Sequence, residues 1–241
     1  MSRGKSKKKL KLKMRRLKKK KRGINVPFSL ANSPKKMKGI QYQHTLGTNI
    51  HNLIYVGAHF KKVKYSAANI TNCNFNRSQL ESIDFIGTNL KKTSFKNSII
   101  KHTLFYNANL SRTNFSNAKF HNVYFINCKL KSVKNLETDN PNIQIINSNF
   151  EDILIPPNIE ESVYKLMSIS RLQKHYVLTT KNSKGRKINK AIIQIFLNHF
   201  TQNEIIRTLK VIENNKNSRY LITFGSYFEF FCHYLKKHDK I

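Results

Sequence analysis

The sequence predicts an all-β solenoid of four-sided coils, with a basic tail before it and an α-helical domain after it. Three observations lead to this fold class: a hydrophobic period of five residues, like residues recurring every twenty positions, and helical periodicity after Pro156 and Pro157. We expect a disordered tail over residues 1–38, the solenoid over 39–155 with a loop near 134–142, and the helical domain over 156–241.

The five-residue period runs without a break from Ile50 to Leu130, and every fifth residue in this stretch is large and apolar. In a chain that is 39% hydrophobic, such a run would arise by chance about once in ten million sequences. A smaller residue, such as Thr88 or Ala108, lies two positions before most of the large ones. Two inward residues per pentad require the backbone to turn a corner in each pentad.

Four pentads close one coil, because residues twenty positions apart are alike. Such residues are expected to stack along the solenoid axis, at about 4.8 Å per coil, which makes a rod of roughly 20 Å. One column is aliphatic (Ile50, Ile70, Leu90, Leu110, Leu130), two are aromatic (Tyr55, Phe75, Phe95, Phe115 and Tyr65, Phe85, Phe105, Phe125), and one is mixed (Phe60, Leu80, Ile100, Phe120).

Residues 108–112 (Ala-Asn-Leu-Ser-Arg) and 113–117 (Thr-Asn-Phe-Ser-Asn) resemble the A-(D/N)-L-x-x units of pentapeptide-repeat proteins. The resemblance covers about a third of the chain and resumes in phase at Ile145, Phe150 and Ile155. It implies a right-handed quadrilateral β-helix. The best-known members of that family resemble B-form DNA in shape and negative charge, and protect type II topoisomerases from drugs.

The charge of this chain departs from that pattern. The position before the large residue, often Asp in the family, is usually Asn here, and the formal net charge of the chain is +33. From residue 48 to 132 the acids are Glu81 and Asp84 alone, against twelve Lys or Arg residues. A cationic rod cannot imitate a nucleic-acid duplex, and we expect it to attract one.

The first 23 residues hold fourteen Lys or Arg residues and no acid. Like-charge repulsion predicts disorder in isolation, and the release of counterions from neutralised phosphates predicts binding to polyanions. Leu10, Leu12, Met14 and Leu17 form too thin an apolar face for a membrane-surface helix. The candidate nucleic-acid-binding residues of this tail are Arg3, Lys5, Lys7, Lys8, Lys9, Lys11, Lys13, Arg15, Arg16, Lys18, Lys19, Lys20, Lys21 and Arg22.

Two further basic clusters are candidates for phosphate contacts. One lies on the aliphatic side of the solenoid, and the other on a glycine-containing loop that leads into a predicted helix, where basic side chains and a helix N-terminus could hold a phosphate. A solvated loop is the alternative for the second. The solenoid residues are Lys91, Lys92, Arg112, Lys129 and Lys131, and the loop residues are Lys184, Arg186 and Lys187.

One side of the predicted solenoid carries an outward apolar strip on three successive coils. Either the C-terminal helices of the same chain cover this strip, or it is a surface for a protein partner or a second copy. The strip consists of Ile86, Leu104, Tyr106, Tyr124 and Ile126.

Helical periodicity appears in four stretches after residue 156, namely 159–178, 187–200, a stretch that begins with a Thr201–Glu204 capping box, and 220–236. No Walker A loop, GxSxG elbow, GxGxxG turn or HExxH motif is present, so we expect no catalysis, no metal and no cofactor. Three cysteines make no disulfide framework, and neither a membrane span nor a secretory signal is visible, so we expect a cytoplasmic protein.

The sequence therefore favours a non-enzymatic nucleic-acid-binding protein. Structured RNA, and the ribosome in particular, is preferred over DNA because a long Lys/Arg tail can thread between RNA helices. One alternative is an antibiotic-resistance protein that protects a topoisomerase or another drug target through the apolar strip. Another is a secreted bacterial effector whose basic run is a nuclear address. The oligomeric state is left open.

Overall fold

The computed structural model describes residues 14, 40–41, 45–46, 49–51, 54–182, 185–215 and 220–238. Short parallel strands form the solenoid, and helices and one hairpin follow it. Within the described ranges the solenoid strands are β1 (Ile40–Gln41), β2 (Thr45–Leu46), β3 (Asn49–His51), β4 (His59–Lys61), β5 (Lys64–Ser66), β6 (Asn69–Thr71), β7 (Gln79–Glu81), β8 (Asp84–Ile86), β9 (Ile99–Lys101), β10 (Leu104–Tyr106), β11 (Lys119–His121), β12 (Val123–Ile126) and β13 (Ile143–Ile146).

Each strand pairs in parallel with the strand one coil further on. From β3 onward the partners lie twenty residues apart, as in the pairing of Phe105 with Phe125 and of Phe60 with Leu80. Six strands stack on one side of the coil and five on another, while isolated bridges such as Asn89 to Asn109 continue the remaining two sides. The four-sided β-solenoid predicted from the sequence is therefore confirmed.

The inward columns form the core and give the four sides their names. Ring centroids of Phe105 and Phe125 lie 4.7 Å apart with planes 1° from parallel, and those of Phe85 and Phe105 lie 4.9 Å apart. Each buried phenyl ring stabilises the fold by about 2 to 3 kcal/mol. Side A contains Ile70, Leu90, Leu110 and Leu130; side B Tyr55, Phe75, Phe95 and Phe115; side C Phe60, Leu80, Ile100 and Phe120; side D Tyr65, Phe85, Phe105 and Phe125.

The corners of the coils lie two positions after the large residues and adopt the left-handed conformation. Asparagine is common there, as at Asn97 (φ 56°) and Asn117 (φ 55°), because its short polar side chain tolerates positive φ better than most. Lys92 and Arg112 adopt the same conformation, each at φ 60°. They stand one above the other at the corner between sides A and B.

The two ends of the solenoid differ from the regular coils. Ile40 pairs with His59 and Gln41 with Phe60, so the partners in the first coil lie nineteen residues apart instead of twenty. At the other end Ile145 pairs with Phe125, twenty residues earlier, so the loop over residues 134–142 adds no length to its coil. Phe150 and Ile155 do not extend the period, because they pack against the helical cluster.

The C-terminal region contains helices and a hairpin. The stretch expected to be one helix over 159–178 is broken after Met167, and the expected loop around Lys187 is part of an antiparallel hairpin. The capping box is present, with Thr201 N donating to Glu204 Oε2 at 2.7 Å. The elements are a 3-10 helix (Phe150–Asp152), α1 (Pro157–Met167), α2 (Ser170–Gln173), β14 (Thr179–Asn182), β15 (Gly185–Ile188), α3 (Lys190–His199), α4 (Gln202–Asn214) and α5 (Phe224–His238).

These helices pack against side D of the solenoid. Leu104, Tyr124 and Ile126 are at most 1% exposed and share one apolar cluster with helical side chains such as Phe224 and Phe196. Tyr124 Oη and His199 Nε2 lie 2.7 Å apart. Side D is therefore covered by the chain's own helices.

Two buried charges on side D hold the backbone of the helical region. Asp84 is fully buried, and both its carboxylate oxygens accept from Phe224 N at the start of α5, at 2.9 and 3.1 Å. Lys64, its neighbour one coil earlier, donates to the carbonyl oxygens of His175 and Tyr176. Side D thus has specific polar partners for the helical region as well as apolar ones. The predicted division of the chain into three domains stays a prediction.

Candidate nucleic-acid interface

Among the described residues, the helical region packs on side D and on its corner with side C. Side C neutralises part of its own charge. Glu81 pairs in register with Lys61 on one coil and with Lys101 on the next. Its carboxylate forms a salt bridge with Lys61 and lies 3.8 Å from His59 Nε2. An outside anion would have to compete with Glu81 for Lys61.

Sides A and B carry cations without such competition. Glu81 and Asp84 are the only acids among the first 136 residues of the sequence, and the fold places Glu81 on side C and Asp84 beneath α5. The solenoid residues proposed from the sequence are all exposed and lie together on side A. No salt bridge to them occurs within the described part of the chain. They are Lys91, Lys92, Arg112, Lys129 and Lys131.

The corner between sides A and B brings these cations onto one convex edge. Backbone bonds from Lys92 N to Ser111 O (3.1 Å) and from Arg112 N to Lys131 O (2.9 Å) set the spacing of the coils. At about 4.8 Å per coil, the cations extend over roughly 10 Å of the axis.

Lys134 belongs to the same edge and was missed by the sequence analysis. It is exposed on side B and pairs with Asn114 one coil earlier. Its position twenty residues after Asn114 is the sequence feature that identifies it. This spacing is easily overlooked, because Asn135 lies where the five-residue period requires a large apolar residue. Leu136, not Asn135, packs against the core in this coil. We call Lys91, Lys92, Arg112, Lys129, Lys131 and Lys134 the basic edge.

The second basic cluster, expected on a loop that leads into a helix, lies instead at a β-hairpin. Lys187 is exposed on β15, and the helix after it already has a cap, since Asn189 Oδ1 accepts from Ile192 N at 3.4 Å. The cap satisfies one of the donors that a phosphate clamp would use. Lys184, the Arg186 side chain and the tail residues from Arg3 to Arg22 lie outside the described residues, so their roles stay predictions.

The apolar strip is largely unavailable to an outside partner in this fold. Leu104, Tyr124 and Ile126 are buried beneath the helices, whereas Ile86 and Tyr106 are half-buried. Of the two interpretations that the sequence leaves open, the structure shows cover by the chain's own helices for three of the five residues.

A groove of about 630 Å³ lies where the solenoid meets the helical region. Tyr106 and Phe150 line it together with two exposed side chains, Leu154 (90% exposed) and Tyr164 (44% exposed). Glu160 and Lys187 are also in the lining, so the groove has no single sign of charge.

The described residues contain neither a metal-binding cluster nor a membrane-spanning helix. No group of three or more His, Cys, Asp and Glu side chains there could hold a metal ion. No helix in that part of the chain is long and apolar enough to cross a membrane. The cytoplasmic location suggested by the sequence stays a prediction.

The fold defines a class: a β-solenoid whose coils have sides of five residues. Residues 58–135 match the family model described as "Pentapeptide repeat region". The match covers this stretch and not the whole chain, and it confirms the family resemblance seen in the sequence. Comparison with curated protein sequences gives no significant match.

Several solved structures are similar to parts of this chain. A pentapeptide repeat protein from the thylakoid lumen of Arabidopsis thaliana is 16% identical, with a TM-score of 0.37, over 52% of this chain and 80% of that one. A pentapeptide repeat protein from Nostoc PCC 7120 is 20% identical, with a TM-score of 0.30, over 42% and 79%. QnrB1, a plasmid-mediated fluoroquinolone resistance protein, is 15% identical, with a TM-score of 0.20, over 48% and 91%. Likenesses this low say nothing about what the chain binds.

Proposed function

We propose that this protein is a non-enzymatic nucleic-acid-binding protein that holds phosphates along the basic edge. The observation that carries the proposal is the separation of charge on the solenoid. The two acids among the first 136 residues are engaged on side C and under α5, while the cations of the edge are exposed and without a described ion pair.

The expected binding mode is sequence-independent contact with the phosphate backbone. Each lysine or arginine that neutralises a phosphate releases condensed counterions, so affinity falls as salt rises. The backbone bonds between coils hold the edge cations in a rigid row. A rigid row loses little conformational entropy in its backbone when it binds.

Structured RNA, the ribosome included, is the preferred target, and DNA is the alternative. The preference comes from the tail, whose fourteen Lys or Arg residues before residue 23 suit passage between closely packed RNA helices. The basic edge itself does not discriminate, because phosphate contacts position a nucleic acid without reading its bases.

The first prediction concerns the basic edge. We expect the K92E/R112E/K131E variant to bind a fluorescein-labelled RNA hairpin of mixed sequence at least tenfold more weakly than the wild type. The slope of log affinity against log salt should become shallower by about 2 to 3, because three phosphate contacts are lost. Fluorescence anisotropy from about 50 to 200 mM salt measures both quantities, and a DNA hairpin of the same sequence tests the preference for RNA.

A matched control removes the effect of net charge. The K119E/K174E/K210E variant changes the same number of exposed lysines on side C, after α2 and on α4. We expect it to lose less than threefold in affinity. Equal losses for the two triple variants would refute a localised binding edge, and no loss in either would refute the proposed function.

A further inference from the structure

Two columns of polar residues flank the basic edge, one on side A and one on side B. In each column the residue before the large inward residue bridges to its equivalent one coil later. Both columns end in a lysine of the basic edge. The column on side A is Asn69, Asn89, Asn109 and Lys129, and that on side B is Asn74, Ser94, Asn114 and Lys134.

The amide oxygens of these asparagines are engaged by the chain itself, except that of Asn69, which is buried without a hydrogen-bond partner among the described residues. Asn109 Oδ1 accepts from Ser111 N at 3.1 Å and from Ser111 Oγ at 2.7 Å. Asn114 Oδ1 accepts from Ser116 N at 2.9 Å and from Ser116 Oγ at 2.6 Å. A backbone N–H only donates, so the side-chain atom that receives it is the oxygen.

The Nδ2 groups of Asn109 and Asn114 have no acceptor among the described residues. Both side chains are half-buried, so the amide is held in place while its nitrogen reaches the surface. Asn74 and Asn89 repeat the arrangement, with Oδ1 accepting the backbone N–H two residues later at 2.9 and 3.3 Å. These four asparagines therefore offer N–H donors outward and keep their acceptors inward.

We propose that Asn109 and Asn114 donate from Nδ2 to the non-bridging oxygens of a nucleic-acid phosphate, beside Lys129 and Lys134. The proposal rests on the proposed function and adds neutral contacts to the charged ones. A phosphodiester oxygen only accepts hydrogen bonds, and a surface that only donates is complementary to it.

The chemistry of the amide explains why asparagine, and not aspartate, suits this site. Aspartate would preserve the turn, because one carboxylate oxygen could still accept the backbone N–H two residues later. Its second oxygen would face outward as a negatively charged acceptor and repel a phosphate. One atom in each side chain thus decides whether the column attracts or repels a polyanion, with no change of fold.

Two pairs of substitutions test this inference with the labelled RNA hairpin. The N109A/N114A variant should bind about three- to tenfold more weakly with an unchanged salt slope, because a neutral donor releases no counterions. The N109D/N114D variant should bind at least tenfold more weakly than N97D/N117D, which adds the same charge at the exposed corners between sides B and C. Circular-dichroism melting of each variant confirms that the folded protein is compared.

Each outcome has a defined meaning. The inference is overturned if N109A/N114A binds like the wild type, or if N109D/N114D is no weaker than N97D/N117D. It is also overturned if the alanine pair alters the salt slope as a lost cation would. A loss in K92E/R112E/K131E alongside unaffected asparagine variants leaves the proposed function standing and removes only the asparagine contacts.

Discussion

Asp84 is a single residue that positions an entire helix. Its carboxylate accepts from Phe224 N, the first residue of α5, where the partial positive charge of a helix N-terminus favours an anion. Burial raises the pKa of Asp84 to about 7, although the charge of Lys64 and the Phe224 N–H bond lower it in part. Burial also lowers the pKa of Lys64, against the effect of Asp84. The free-energy cost of burying the Asp84 carboxylate at this helix cap therefore varies with pH.

The sign of this pH dependence follows from the direction of the shift. The carboxyl titrates near pH 4 in the unfolded chain, so between about pH 4 and 7 the folded state binds the additional proton. The free energy of unfolding should therefore fall as pH rises through this window. In D84N, whose amide oxygen can still accept from Phe224 N, the fall should be smaller. Urea unfolding of both proteins at about pH 5 and pH 8 measures the difference, and equal pH dependence would contradict the role given to Asp84.

At the scale of an element, α5 approaches the solenoid more closely than a side chain allows. A Cβ atom added to Gly225 would lie 2.0 Å from His102 O and 2.7 Å from Ser82 Cα, both backbone atoms. Ser82 Oγ also donates to Glu229 Oε1, one turn further along the helix, at 2.6 Å. The helix therefore fits the corner between sides C and D only because position 225 lacks a side chain.

We expect G225A to destabilise the protein by about 2 kcal/mol or more, since the helix must move away from the solenoid. Within an exposed helix the same change would stabilise the protein by about 1 kcal/mol. The sign of the change in the free energy of unfolding therefore shows whether position 225 is in close contact with the solenoid. G87A is the control, because its methyl group meets nothing within 4 Å and its cost is limited to left-handed strain of about 1 to 2 kcal/mol. Thermal or urea unfolding that showed G225A as stable as the wild type would rule out the close approach.

At the scale of the whole molecule, charge is divided along the chain. All but two of the twelve acids follow residue 136, whereas the tail and the solenoid are basic. The fold then buries Asp84 and pairs Glu81 with Lys61. Among the described residues up to 136, the exposed charge is therefore almost entirely positive, which suits association with a polyanion at rates raised by electrostatic steering.

Deletion of residues 1–23 tests how the tail and the basic edge share this binding. We expect a shallower salt slope and an affinity for the RNA hairpin at least tenfold lower, because the tail can neutralise several phosphates. The K92E/R112E/K131E change should weaken the deleted protein further. Anisotropy titrations across the same salt range measure both effects, and an unchanged slope after the deletion would exclude a role for the tail.

The regular part of the solenoid was predictable because its information is local and repeated. Phe105 meets Phe125 as the period of twenty requires, and the Thr201–Glu204 capping box begins α4 as its residue types indicate. The irregular coil was harder to predict. Asn135 breaks the five-residue apolar period there, so the period does not show that Lys134 belongs to the basic edge. The break of the first helix and the hairpin at 179–188 were missed for a related reason: tertiary packing overrides weak local propensity.

By itself the sequence determined the solenoid, its four sides and its basic character, because the size and charge of the side chains repeat with the same period as the backbone coils. Only the tertiary structure decided which of those sides stays open. The cover of Leu104, Tyr124 and Ile126, the capping of α5 by Asp84 and the pairing of Lys61 with Glu81 join residues far apart in the chain or on different coils. Such contacts depend on how surfaces fit in three dimensions, and no period along the chain records them.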